Sequence, residues 1–343
     1  MKKIFSLFFV LVLMSSLSLG LVSCSKNQSS INNKVVLNEG KAGTDITWTY
    51  YNDNTLVFDG TGEMFEYYDS TTYISNYPSL EMPWYEYSKI AKEIVLSEGI
   101  TSISNFAFFG ARGIKTINLP KSITKIGACS FEHSSIETIT LPENLEVIED
   151  YLFYHCHNLK EVVCSDQLKY IGDGAFDDCP KLELTEYDNA YYWGTKTNPH
   201  FSLIKSKSTD IDSCDIHERT SIIYTSAFQG CINLSQIELG SNIKYIGKES
   251  FYRSGLEKIV IPDAVEYISY GAFRYCKNLK EITLGKAVNR IGVTAFDGCD
   301  NLARVYVYGD ESNWNNIVFE MSSDGYGHYN WKIINATREY YND

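Results

Sequence analysis

Apolar residues recur along this chain at a spacing of 22 or 23, far longer than the period of a helix or a strand. The ruler is Ile-x-x-x-x-Phe, found at Ile103/Phe108, Ile126/Phe131, Ile148/Phe153, Ile171/Phe176, Ile223/Phe228, Ile246/Phe251, Ile268/Phe273 and Ile291/Phe296. Successive Phe residues lie 23, 22, 23, 52, 23, 22 and 23 positions apart. Ile100, Ile123, Leu145, Leu168, Ile243, Val265 and Val288 each stand three residues before an Ile of the ruler. Farther on come Leu159, Leu234, Leu279 and Leu302. An alternating pair completes each unit: Ile117/Leu119, Ile139/Leu141, Val162/Cys164, Ile237/Leu239, Ile259/Ile261, Ile282/Leu284 and Val305/Val307. Such alternation predicts a short strand with one face inward. Pro120, Pro142 and Pro262 follow three of these strands, and proline ends a strand because it has no N–H to donate. Ile-Gly at 126–127, 171–172 and 246–247 predicts a turn into a short helical or 3₁₀ segment. Ala-Phe at 175–176, 272–273 and 295–296 then buries that segment. A single unit cannot enclose its apolar residues, whereas stacked units can, with strands ~4.8 Å apart.

The 52-residue interval reads as one enlarged, irregular unit at 180–222, through which the stack continues. It carries Tyr191-Tyr192-Trp193-Gly194 and the turn signals Asp188-Asn189 and Asn198-Pro199. The ends depart from the repeat, as terminal units of a stack do. Residues 43–89 read as an N-terminal cap with a hairpin turning at Asp53-Asn54. The repeats occupy 90–320. Tyr306–Tyr308 and Trp314–Ile317 suggest a strand and a short helical cap, and 321–343 read as a trailing cap.

The first 23 residues have the form of a secretory signal, with Lys2 and Lys3 before an apolar run that Ser15, Ser16 and Ser18 interrupt. Leu21-Val22-Ser23-Cys24 resembles a bacterial lipobox. By that resemblance Cys24 is the first mature residue and carries lipid on its thiol, which anchors the protein to a membrane without a spanning helix. Residues 24–42 then read as a flexible tether. The formal charge of -13 becomes -15 once Lys2 and Lys3 are removed. No basic stripe is present to neutralise phosphate, so nucleic acid is not an expected partner.

The unit Ala272-Phe273…Cys276…Leu279…Ile282…Leu284…Val288…Ile291-Gly292 resembles the BspA-like, or Treponema pallidum-type, leucine-rich repeat. The resemblance spans about residues 43–320. It includes the hairpin residues 45–48 with Gly60-Thr61-Gly62, and the insert with Tyr192-Trp193-Gly194 and Asn198-Pro199. It implies a leucine-rich-repeat solenoid: a parallel strand ladder with short helical or 3₁₀ turns on the other side. Members of this family are typically bacterial surface proteins, several of them implicated in adhesion to host matrix proteins, host cells or other bacteria. The family has no shared catalytic set, so the resemblance lends no residue a catalytic role.

Nine cysteines in an exported chain suggest a disulfide framework, but their placement argues otherwise. Cys156, Cys179, Cys231, Cys276 and Cys299 each follow a repeat Phe by three residues, a slot that Ala111 and Ser134 fill elsewhere. They read as buried thiols serving as small hydrophobes. His155 and His157 flank Cys156; with that thiol inward they are expected on a solvated loop, and no metal or cofactor is expected. Tyrosine is the informative excess, at 26 residues. Most of these residues read as packing. Tyr67, Tyr68, Tyr73 and Tyr77 before the repeats, and Tyr191, Tyr192 and Trp193 in the insert, are the candidate partner contacts, since tyrosine offers a rigid face and a polar tip. The function expected is adhesin-like binding to a protein or glycan on a host or bacterial surface, by a monomer. An envelope scaffold or glycan-capture protein is the first alternative, and a hydrolase with its site in the insert is the second.

Overall fold

The computed structural model describes residues 34–67, 82–322 and 329–342. The signal region, Cys24, Tyr68, Tyr73 and Tyr77 lie outside the described residues. From Val35 onward the chain forms one compact unit.

Two parallel strand ladders run along the coils. The first takes the alternating pairs. Thr138–Thr140 pairs with Glu161–Val163, and Lys258–Val260, Glu281–Leu284, Arg304–Tyr308 and Thr337–Tyr341 form one sheet. Register is kept from coil to coil, so Ile259, Ile282 and Val305 stand side by side and are buried. The second ladder comes from two-residue strands that end at the ruler Ile. Ile222–Ile223, Tyr245–Ile246, Tyr267–Ile268 and Arg290–Ile291 pair in succession. The following glycine is required by close approach: a Cβ on Gly172 would stand 2.4 Å from the backbone nitrogen of Asp150.

The tight turns expected around each Phe form as a succession of i→i+3 bonds, such as those from Ala272, Arg274 and Cys276 N–H to Ser269, Gly271 and Phe273 O, and not as a continuous helix. In every coil the residue two before the Phe and the residue two after it take a left-handed φ. The first slot holds Phe106, Cys129, Tyr151, Gly174, Ser226, Glu249, Gly271 and Thr294. The second holds Gly110, His133, His155, Asp178, Gly230, Arg253, Tyr275 and Gly298. These reversals aim every second N–H at the next coil. Glu249, Phe251 and Arg253 donate to the carbonyls of Tyr270, Ala272 and Arg274 at 2.9, 2.8 and 3.0 Å. The same three bonds recur between all successive regular coils. A helix would have kept them within one coil; here they tie coils together as three columns of peptide groups. The Phe rings stack beneath them, with centroids 5.2 Å apart for Phe251 and Phe273.

Side chains close the central column at both ends. The indole of buried Trp84 donates to the carbonyl of Ala107 in the first coil, at 2.8 Å. In the last coil the amide oxygen of buried Asn330 accepts from the N–H of Phe296 at 3.0 Å, and its amide nitrogen donates to Gly292 O at 2.9 Å.

Two boundaries need correction. Val36–Lys41 is a strand antiparallel to Gly43–Tyr51, so residues 36–41 belong to the cap and not to the tether expected over 24–42. The trailing 321–343 segment also contributes structure: Trp331–Asn335 is helical with Ile333 in the core, and Thr337–Tyr341 adds a strand to the first ladder.

Candidate functional site

The irregular unit interrupts both ladders. Tyr170–Ile171 pairs only backward, with Val147–Ile148, and the second ladder restarts at Ser202–Ser206 beside Ile222–Ile223. Side chains bridge the break. Phe176 N–H donates to the hydroxyl of Tyr224 at 2.7 Å and Gly174 N–H to Thr225 Oγ1 at 3.2 Å, replacing the carbonyls that a regular coil would supply. Asp173 gathers the remaining donors. Its Oδ1 accepts from Thr225 Oγ1 at 3.2 Å, Tyr245 O–H at 3.1 Å and Lys248 N–H at 3.2 Å, and its Oδ2 accepts from Ser269 Oγ at 3.2 Å. Beside it, burial and the Asp173 charge push the Asp150 carboxyl up to about 6.

The insert itself is a small antiparallel sheet of Thr185–Tyr187, Ala190–Trp193 and Ser202–Ser206. It places the candidate aromatic residues differently from the expectation. Tyr192 is fully buried and Trp193 is 4% exposed, packed 4.9 Å from the ring of Phe176. The two rings are buried on opposite faces of the strand, Trp193 in one core with Phe176 and Tyr192 in another with Leu203 and Ile223. Neither ring can meet a partner, and both are corrected to core. Tyr191 is half-buried, with the ammonium groups of Lys205 and Lys207 5.6 and 5.8 Å from its ring. Tyr67 is half-buried edge-on to Trp84, in the N-terminal cap.

Grooves flank the insert where the first ladder fails. Residues 236–240 form no strand, so Lys258–Val260 has a strand partner on one side only, Glu281–Leu284. The space beside them is an open groove of about 960 Å³. Ile237 and Ile259 line it together with Asp215, Glu218, Glu238 and Lys258. Tyr187, 40% exposed, and Val260, 61% exposed, stand at its edge. A second groove of about 490 Å³ lies on the other side of the insert, between 160–164 and 193–199. Polar and apolar groups alternate in the larger groove, which suits an extended polar chain lying across several coils. Cys214 also lines it, but burial pushes that thiol up to about 12, so it is held protonated and unreactive.

Four of the other cysteines have a shared structural role. All eight described cysteines are free and buried. The thiols of Cys156, Cys179, Cys276 and Cys299 donate to the carbonyls of Phe131, Phe153, Phe251 and Phe273 at 3.0 to 3.1 Å. Each thiol therefore links its coil to the preceding one, a role beyond that of a small hydrophobe. Cys156 points inward, and the side chains of His155 and His157 are on the solvated loop expected of them, 28% and 60% exposed. Both turn toward Asp178 of the next coil, with Nδ1 atoms 2.6 and 3.5 Å from its Oδ2.

Sequence reasoning missed Asp173, Asp178 and the larger groove. One signal was available: Ile223 is followed by Tyr224, a large aromatic where Ile126, Ile171, Ile246 and Ile291 are followed by glycine.

The family described as "BspA type Leucine rich repeat region" matches in six copies, over residues 80–196 and 206–324. No curated protein matches the chain. Among solved structures, the chain is similar to a leucine-rich repeat protein from Eubacterium ventriosum, at 20% identity and a TM-score of 0.45, covering 80% of this chain and 79% of that one. A leucine rich cell surface protein from Faecalibacterium prausnitzii matches at 17% identity and a TM-score of 0.34, covering 85% of this chain and 100% of that one. The leucine-rich repeat protein of T. pallidum matches at 16% identity and a TM-score of 0.25, covering 75% of this chain and 87% of that one.

Proposed function

We propose a binding role for this chain on the premise that it belongs to the BspA type leucine-rich-repeat family. In this reading it is an exported surface protein, held to a membrane by lipid on Cys24, that takes an extended protein partner of a host or bacterial surface. The supporting observation is the groove of about 960 Å³ beside the unpaired edge of Lys258–Val260. It has an apolar floor, three carboxylates and one ammonium group, the mixture that gives a protein interface both area and register.

The exposed ring of Tyr187 beside Asp215 and Glu218 favours a second reading, glycan capture, because a phenol face and flanking acceptors also fit a sugar. Binding of the full chain, purified in detergent, to a panel of matrix proteins and glycans separates the two. Saturable binding to a matrix protein, weakened about tenfold (roughly 1.4 kcal/mol) by Tyr187→Ala or Glu238→Lys, is the expected result. Binding to glycans alone moves the assignment to capture. Binding to no member of the panel removes host adhesion as the function.

A further inference from the structure

We propose that His155, His157 and Asp178 form a binding site for one late first-row divalent cation of the zinc type. The proposal is independent of the groove, which lies elsewhere on the coils.

The site follows from the repeat. His155 and Asp178 occupy the same left-handed slot, two residues after the Phe, in adjacent coils. The column bond from His155 N–H to Asp177 O, 3.0 Å, fixes their backbones side by side. His157 reaches the same place because Cys156 between the two histidines is fully buried, with its thiol on Phe131 O at 3.0 Å. Two imidazoles and a carboxylate thus come from short, tied segments, and little ordering remains for binding to impose.

The distances suit an ion. His157 Nδ1 and Asp178 Oδ2 are 3.5 Å apart and His155 Nδ1 and the same oxygen 2.6 Å. All three residues offer ligand atoms within 4.8 Å of one another. Ligands ~2.0–2.1 Å from a tetrahedral ion stand roughly 3.3 Å apart. The His157 pair is already near that separation. The His155 pair needs to open by less than an ångström, with the ion taking the place of the bridging hydrogen. The side chains of His155, His157 and Asp178 are 28%, 60% and 49% exposed, so an ion can reach them from solvent. Among the described residues no lysine or arginine forms an ion pair with Asp178. Two nitrogens and one oxygen suit zinc, nickel or copper; magnesium and calcium favour all-oxygen shells. Three protein ligands leave a fourth position for water. The bound ion would join the last two regular coils before the irregular unit.

The test is titration of the full, tag-free chain with zinc chloride against a chelating dye, together with the optical spectrum of the cobalt(II) form. The expected result is one equivalent bound, with affinity about tenfold or more lower in His157→Ala and in Asp178→Asn and unchanged in His217→Ala. Zinc should also raise the Tm of the wild type and leave that of His155→Ala/His157→Ala unmoved, because an ion held only by the folded state stabilises it. His157 is exposed enough that its single substitution should leave the fold intact. The proposal is overturned if one-equivalent binding is absent, if it survives these substitutions, or if cobalt gives thiolate charge-transfer bands that place the ion on the cysteines.

Discussion

The contact between Phe251 and Phe273 and the contact around Phe176 serve the same purpose by opposite means. At the first, two rings lie stacked 5.2 Å apart and within 2° of parallel, and backbone donors meet backbone acceptors. At the second, Phe176 meets Trp193 at 4.9 Å, tilted by 48°, and its N–H meets a phenol oxygen. Repetition solves the regular interface, because identical coils present donors and acceptors at matching heights. The irregular interface has no such match; Tyr224 and Thr225 replace two of the absent carbonyls, and Asp173 collects donors from the coils beyond. The regular coils should therefore be sensitive to lost volume and the junction to lost polar atoms.

The sharpest way to break that comparison is Phe273→Ala. It removes a fully buried ring between two others and should cost about 3–5 kcal/mol in chemical denaturation. Tyr224→Phe keeps the volume and deletes the acceptor of Phe176 N–H. It should cost about 1–3 kcal/mol, the penalty of an unpaired buried donor, with faster hydrogen exchange at the Phe176 amide. A cost below about 0.5 kcal/mol, well under that penalty, would mean that the junction is held by packing, as the regular coils are. The smallest effect is expected from Asp150→Asn. Its carboxyl sits at about 6 in the fold because of burial and the neighbouring Asp173, so folding favours the protonated form. The stability it contributes is full below an unfolded value of about 4 and is lost as pH rises through about 6. Asn keeps an oxygen for the Asp173 N–H, 2.8 Å away. Tm measured against pH should place the variant above the wild type at pH 7.5, with the gap closing toward pH 4. A gap that widens on acidification would contradict the assignment.

The repeating Phe and the alternating strand residues were legible because each occurs in many copies and each copy obeys one period. The second ladder was not, since a strand such as Tyr245–Ile246 is too short for alternation to register. The left-handed slots were hidden for another reason. Glycine, the usual sign of that conformation, fills only Gly110, Gly174, Gly230, Gly271 and Gly298; Tyr151, Glu249 and Arg253 take it under the constraint of the stack. Tyr192 and Trp193 stood out as aromatic, and nothing local showed that both faces of their strand would be covered. Asp178 was readable in principle. It lies 23 residues after His155, in the same slot, and only the repeat makes that sequence distance a spatial contact.

The peptide columns also have a direction. Every N–H in them points toward the C-terminal coil and every C=O toward the N-terminal one, so their dipoles add as they do along a helix. A bare end would be a template: the N–H face of one copy fits the C=O face of another, and that head-to-tail contact does not close on itself but propagates as a filament. Trp84 and Asn330 engage the terminal groups of the central column with side chains that cannot pass the pattern on. They act as chain terminators, and their loss would first appear as self-assembly.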